Sequence, residues 1–331
     1  MKPIRMIPLS RIDLSDQTFS VNFMPDLERL RASIQEMGLL QPVLLREKPG
    51  NFQIVSGFRR ISVAQELGFS EIESTLLEEE VEDVKLFSIS LHENLTSRGF
   101  NTVERAMALE KLVDPFRLDP ASIIRKWLPL FDLETNEKIL NTFLSLARME
   151  DEVKRYVLEE KVSRSNIRKL AALDADDRRA AMALLRSLKL GENSLRETLI
   201  FLREISRRDR CDVEAIIRLP EIQAILSHPD LTSNQKAERV KKILTGLRYP
   251  RMTQLEEEFH EKRRDLNLPS SIVLNPPPFF EGKGLRMTFQ FHSIEEYRSI
   301  LSSLTALGEK KEFHEMILGG GLERRSGALS N

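Results

Sequence analysis

The feature that most limits what this chain can fold into is a change of hydrophobic period near residue 100. Before it, short apolar runs alternate with turn signals and short amphipathic stretches. After it, from about Thr102 to Leu247, apolar residues recur at helical spacing almost without a break. At about 150 residues per domain, 331 residues allow two to three domains. The expected class is α+β and multidomain. Residues 1–100 read as a small mixed α/β domain and residues 101–247 as an all-helical domain. Residues 248–269 read as a linker helix, 270–317 as a small β-β-α unit, and 318–331 as a disordered tail.

Within the first hundred residues, Ile4–Pro8 predicts a strand. A helix opening at Pro25-Asp26 should turn Leu27, Leu30, Ile34 and Met37 to one face and stop at Gly38. Val43–Arg46 and Phe52–Val55 predict two strands around a Pro49-Gly50-Asn51 turn. A helix with Ile61, Ala64 and Leu67 inward follows, then a strand from Ile72 and a helix over Val84–Leu91. Thr102 is expected to cap the next helix, and Thr232 to open a capping box. In the β-β-α unit, Tyr297, Ile300, Leu301 and Leu304 should face inward, and the unit is small enough that its strand edge invites pairing with a second copy.

Composition removes several classes. No apolar run reaches the roughly 18 residues of a membrane span, and MKPIRMIPLS lacks a signal-peptide core. One cysteine, Cys211, excludes a disulfide framework and a cysteine-based zinc site. The expected location is the cytoplasm. Charge is uneven: residues 1–114 hold 13 basic and 18 acidic side chains, while residues 161–264 hold 23 and 16. In the second segment Arg outnumbers Lys 16 to 7, and guanidinium forks suit phosphate oxygens. Solvated helix faces with internal ion pairs account for the same counts.

Three short segments could carry chemistry. In Ser56-Gly57-Phe58-Arg59-Arg60 a strand turns into a helix whose first N–H groups favour an anion, with two Arg beside them. An ordinary turn with two surface Arg reads the same way. In His92-Glu93-Asn94-Leu95-Thr96-Ser97-Arg98 a carboxylate beside an amide offers two hard oxygens to Mg²⁺, and Arg98 could reach phosphates held there. A plain helix end is the alternative. In Gly38-Leu39-Leu40-Gln41-Pro42, Gln41 could bond a ligand or its own loop.

The order and spacing of these segments resemble the ParB family of chromosome-partition proteins. The matching residues are Ser33-Ile34, Gly38-Leu39, Gln41-Pro42, Phe52–Arg60 with Ala64, Glu93-Asn94, and the helix of Glu104-Arg105-Ala106. Glu152–Ser163 is similar to the family's helix after its helix-turn-helix, and the segment from Gly282 to Leu304 to its C-terminal dimerisation unit. The resemblance implies a ParB/sulfiredoxin-like N-terminal fold and a dimeric, CTP-dependent DNA clamp acting in chromosome or plasmid segregation near the nucleoid. It implies nucleotide contacts from Gln41, Ser56, Gly57, Arg59, Arg60, Asn94 and Arg98, and Mg²⁺ on Glu93 and Asn94. Glu93 would position water for any slow CTP hydrolysis. It implies DNA contacts from Arg125, Lys126, Arg164, Arg168 and Lys169, from Lys138 as a cation on the reading helix, and from Asn136 and Asn141 as base readers. A ParA-type ATPase is a further partner class.

Four positions depart from the family pattern. Phe58 replaces the acidic residue of Gly-Glu-Arg-Arg, and Ser97 stands where Arg is expected, with Arg98 one place later. Asp16–Phe23 replaces a Gln-Pro-Arg segment. The helix-turn-helix, read as Ile123–Pro129, Leu130–Glu134 and Thr135–Met149, is degraded by Pro129, Asp132 and Glu134. Two rivals follow: an adaptor that dimerises without reading DNA, or a nucleotide-dependent kinase on the same fold. Sulfiredoxin chemistry needs a Cys in the phosphate turn, and none stands there.

Overall fold

A computed structural model describes residues 4–280 and 284–318, so the tail expected over 318–331 lies outside the described residues after Leu318. By contact the chain divides into two compact units. The first is 1–203 with 212–218, and the second is 204–211 with 219–331.

The first unit begins with a mixed sheet. Its strands are β1 (Ile4–Pro8), β2 (Ile12–Asp13), β3 (Val43–Lys48), β4 (Asn51–Ser56) and β5 (Glu71–Leu77), in the order β1-β5-β3-β4-β2. β1–β5 and β3–β4 run antiparallel, while β3–β5 and β2–β4 run parallel. The central strands are β-branched and apolar, and Val43, Leu45, Ile54 and Val55 are almost wholly buried. One buried charge interrupts this core. Arg46 donates Nε–H to Gln53 Oε1 at 2.8 Å and pairs with Asp83 at 2.7 Å, so the guanidinium is satisfied rather than stranded. Gln53 in turn donates to Asp16 at 2.6 Å. Burial pushes the Asp16 carboxyl up, but hydrogen bonds from Thr18 and Gln53 and the Lys48 charge outweigh it and hold it below the usual range.

Helices α1 (Glu28–Met37) and α2 (Phe58–Glu66) pack on each other, and α2 also packs on β3. α3 (Asp83–Ser97) packs on β4. The α1 stripe is narrower than its spacing predicts: Ile34 is buried, while Met37 is 64% exposed. α3 runs six residues past the expected end at Leu91, because no Gly or Pro intervenes before Gly99.

The helical part follows as α4 (Thr102–Val113), α5 (Pro120–Leu130), α6 (Glu137–Ala147), α7 (Asp151–Glu159), α8 (Arg164–Ala171), α9 (Ala175–Leu188), α10 (Glu192–Asp209) and α11 (Val213–Ile217). α4 is the hub: its fully buried Val103, Ala106, Leu109 and Leu112 meet α5, α6 and α7. Its cap is Asn101 rather than the expected Thr102. The Asn101 side chain accepts from Glu104 N–H, and Glu104 accepts from Asn101 N–H. Pro129 sits in the last turn of α5 instead of in the following turn.

The second unit holds α12 (Pro220–Ser227), α13 (Ser233–Arg248), α14 (Pro250–Asp265), the antiparallel strands β6 (Ile272–Asn275) and β7 (Arg286–Phe289), α15 (Ile294–Gly308) and α16 (Lys311–Leu318). Thr232 forms the expected capping box with Gln235. The small core joins Phe259, Leu266, Leu274 and Leu307. Leu301, expected inward, is 42% exposed, while Ile300 takes the buried position. No helix among the described residues is long and apolar enough to cross a membrane.

Candidate functional site

The turn from β4 into α2 shapes the site. Gly57 caps α2 with φ +101°, in the left-handed region. A Cβ there would stand 2.6 Å from Val43 Cγ1, so glycine is also required by space. The backbone at the start of α2 is thereby brought against β3 and left open on its other side, the arrangement that admits an anion to helix N–H groups.

Around this turn lies a cavity of about 310 Å³. Gln41, Gly57, Arg59, Arg60, Glu93, Asn94 and Arg98 line it, so residues from all three sequence segments meet at one place. Ser56 does not line it. It is fully buried behind the turn and donates its hydroxyl to Glu93 Oε2 at 2.6 Å. Phe58 and Ser97, two of the departures from the family pattern, are on the wall. Arg98 occupies the site even though it is one residue late, since the helix ends at Ser97 and the chain turns back at Gly99.

Each arginine expected on phosphate is held by the protein. Arg60 pairs with Glu93 Oε1 at 2.5 Å and donates to the carbonyls of Gln41 and Pro42, each at 3.1 Å. Gln41 thus contributes its backbone oxygen as well as its place on the wall. Arg59 donates to Asn22 Oδ1 at 2.9 Å and pairs with Glu104 Oε1 at 2.5 Å. Arg98 donates to Asn94 Oδ1 at 2.9 Å and pairs with Glu104 Oε2 at 2.8 Å. Burial, and then the Arg98 charge, pull the Arg59 guanidinium below its usual range, while Glu104 pulls it back.

The donor set fits a polyanion. Four arginines, Arg29, Arg59, Arg60 and Arg98, line the cavity together with two carboxylate residues, Asp26 and Glu93. The same set does not form a metal site by itself. Both Glu93 oxygens and the Asn94 amide oxygen are already accepting, from Ser56, Arg60 and Arg98. No group of three or more His, Cys, Asp or Glu among the described residues could hold a metal ion. Each of the side-chain oxygens of Glu93 and Asn94 accepts a single hydrogen bond and keeps a second lone pair, so Glu93 and Asn94 are the residues that would hold Mg²⁺ beside a bound phosphate.

Sequence reasoning gave no site role to Asn22, Arg29 or Glu104, although Glu104 stood in the Glu104-Arg105-Ala106 match. Asn22 lies in an irregular stretch with no periodicity to mark it. Glu104 carried a readable signal, the Asn-x-x-Glu of a capping box, obscured by the neighbouring Thr102.

A second cluster lies on α6 and α8. Lys138, Asn141 and Arg168 line one shallow groove with Thr142 and Ser145. The other expected DNA contacts are dispersed or engaged. Arg125 and Lys126 are exposed on α5. Asn136 is the N-cap of α6, its side-chain oxygen accepting from Ile139 N–H at 2.9 Å. Arg164 pairs with Glu134 at 3.0 Å, and Lys169 is half-buried on α8.

Residues 1–95 match the family profile of the ParB N-terminal domain. A nucleoid occlusion protein of Halalkalibacterium halodurans is 28% identical over 150 residues, covering 45% of this chain and 50% of that protein. The chromosome-partitioning protein ParB of Caulobacter vibrioides is 31% identical over 176 residues, covering 52% of this chain and 54% of that protein. The chain therefore spans about half the length of the curated relatives it matches. Among solved structures, C-terminally truncated chromosome-partitioning protein ParB from Caulobacter crescentus complexed with CTP-gamma-S is 26% identical. It covers 52% of this chain and 94% of that one, at TM-score 0.26. The same truncated protein complexed to the centromeric parS site is 23% identical, covering 60% and 98%, at TM-score 0.35.

Proposed function

We propose, from the match of residues 1–95 to the ParB N-terminal domain, that the chain is a partition-type protein: a dimeric, CTP-dependent DNA clamp acting in chromosome or plasmid segregation. The observation that carries the reading is the meeting of Gly57, Arg59, Arg60, Glu93, Asn94 and Arg98 around one cavity, although the first and last are 41 positions apart in the sequence.

CTP would supply a triphosphate, whose charge the cavity answers. The chain's part is to bind and orient it. Gly57 opens the start of α2, and Arg59, Arg60 and Arg98 present guanidinium edges fixed from behind by Glu93 and Glu104. Glu93, hydrogen-bonded to Ser56 and Arg60, is the carboxylate placed to orient water for slow hydrolysis. Lys138 and Asn141 on α6 and Arg168 on α8 form the DNA-facing set, with Arg125, Lys126, Arg164 and Lys169 as phosphate contacts and Asn136 keeping its amide N–H₂ for a base. The β-β-α unit holds two copies together, a ParA-type ATPase is the partner class, and the place of action is the nucleoid.

The test is isothermal titration of the purified protein with CTP, ATP, GTP and UTP, each with Mg²⁺ and again with EDTA. Selective CTP binding, weakened at least tenfold by Arg59→Ala or Arg60→Ala with the dimer intact, is expected. Selective ATP binding would point to a kinase instead, and collapse of the dimer would make the turn structural.

A second reading, an adaptor that dimerises but has lost sequence-specific DNA binding, has one observation in its favour. α6 carries a single cation, Lys138, and Arg148, which ends it, is paired with Glu110 at 3.1 Å. Retained CTP binding with no preference among DNA sequences would select it.

A further inference from the structure

Glu104 is the most deeply buried charged side chain near the cavity, at 1% exposure, and it stands behind two of the phosphate-facing arginines. It does not line the cavity, yet it touches two of the arginines that do. Its Oε1 accepts from Arg59 Nη2 at 2.5 Å and from Phe23 N–H at 3.4 Å. Its Oε2 accepts from Arg98 Nη1 at 2.8 Å and from Asn101 N–H at 3.2 Å. Four donors converge on one carboxylate, two of them charged.

Two guanidinium groups placed this close repel each other, and burial removes the water that would screen them. A buried carboxylate between them makes the pair tolerable. It also fixes which edges are taken. Arg59, which lines the cavity, uses Nε on Asn22 and Nη2 on Glu104, so neither of these is the nitrogen left for a ligand. Arg98 is held at Nε by Asn94 and at Nη1 by Glu104 and the Gly99 carbonyl. Because all its acceptor positions are engaged, Glu104 is an anchor rather than a temporary stand-in for a phosphate.

We propose that Glu104 is the positioning residue of the phosphate site: it sets the guanidinium groups of Arg59 and Arg98 for a polyphosphate and ties both to the first turn of α4. The proposal rests on the nucleotide reading for its ligand, while the placement of the two arginines stands apart from it. The tie to α4 follows from position. Glu104 is the third residue of that helix and half of its capping box, and α4 packs directly against α6.

Glu104→Gln separates the roles. Gln keeps the length and the oxygen that a capping box needs at this place, but removes the charge between the guanidinium groups and sets an N–H₂ against one of them. The Nη–H signals of Arg59 and Arg98, the groups that donate to Glu104, followed by ¹⁵N NMR in the nucleotide-free protein, should exchange with water more slowly than those of the exposed Arg29 in wild type. They should lose that protection in Glu104→Gln. CTP·Mg titration of the same proteins should show affinity reduced at least tenfold in the variant. Binding within twofold of wild type would leave Glu104 as a helix cap only, and tighter binding would make it a competitor of phosphate; either overturns the proposal. Absence of CTP binding in wild type would defeat the nucleotide reading alone. The Nη–H exchange would then decide the proposal, and equal exchange rates for Arg59, Arg98 and Arg29 in wild type would overturn it even if the variant failed to fold.

Discussion

At Gly57 two requirements meet that only glycine satisfies: a backbone φ of +101° and a Cβ position already filled by the Val43 side chain. The two can be measured apart. Gly68 has φ +78° but nothing within 4 Å of a Cβ, so Gly68→Ala carries only the cost of the left-handed backbone, about 1–2 kcal/mol. Gly57→Ala adds overpacking against β3, about 1–3 kcal/mol more. In urea unfolding followed by circular dichroism, the midpoint should fall further for Gly57→Ala than for Gly68→Ala, and only the former should weaken CTP binding. Equal midpoints would mean that Val43 moves aside freely. The glycine, both arginines of the turn and the Glu93-Asn94 pair were legible in the sequence because each is a local pattern, a strand-to-helix turn or adjacent oxygen donors. Asn22 and Glu104 were not, because their role is to touch residues 37 and 45 positions from the first and second, Arg59 in both cases. No periodicity encodes such a contact.

Elements with strong alternation or a clear cap were legible to within a residue or two: β1, the β3–β4 hairpin, and the helix capped at Thr232. α3 was cut short since its last two turns, His92–Ser97, hold one apolar residue, Leu95, and so no apolar stripe marks them as helix. α11, α12 and α16 escaped notice because five to eight residues hold too few turns to show a period. At this scale the helical domain makes its own prediction. On α6 the inward face, Ile139, Leu140, Phe143 and Leu146, leaves Lys138, Asn141 and Ser145 on the groove side, joined there by Arg168 of α8. If this face meets a nucleic-acid backbone, Lys138→Ala and Arg168→Ala should each lower the slope of log K against log salt by about 1, measured with mixed genomic DNA. Asn141→Ala should instead relax preference among sequences while leaving the salt slope unchanged. An unchanged slope in both cation variants would remove this groove from the DNA contact and favour the adaptor reading.

In the whole molecule, the open question that burial itself raises is the second unit. Its core is small for a unit that includes two strands and several helices, and apolar side chains remain outside it: Val273, Phe291, Ile294, Leu301 and Ile317 are each 40–56% exposed. Phe291 and Tyr297 lie with ring centroids 5.0 Å apart, so part of this surface is an aromatic pair rather than isolated side chains. β6 and β7 make only a two-stranded sheet, which is marginal alone. A second copy would bury the exposed face and extend the sheet, and closed two-fold pairing is the commonest way for such a surface to be covered. Deleting residues 270–331 tests this bluntly, because it would also strip Leu274 and Leu307 from Phe259 and Leu266 and leave α14 without its packing. Phe291→Asp with Leu301→Asp is the cleaner change, since both side chains are exposed and neither belongs to the core. Light scattering should give a dimer for the full chain at micromolar concentration and a monomer for the double variant, with CTP affinity unchanged because the cavity lies in the first unit. A dimer that persists in the double variant would place the contact on another surface. A monomeric wild type that pairs only with CTP would move it to the N-terminal domain, and the apolar face of the β-β-α unit would then need a different partner.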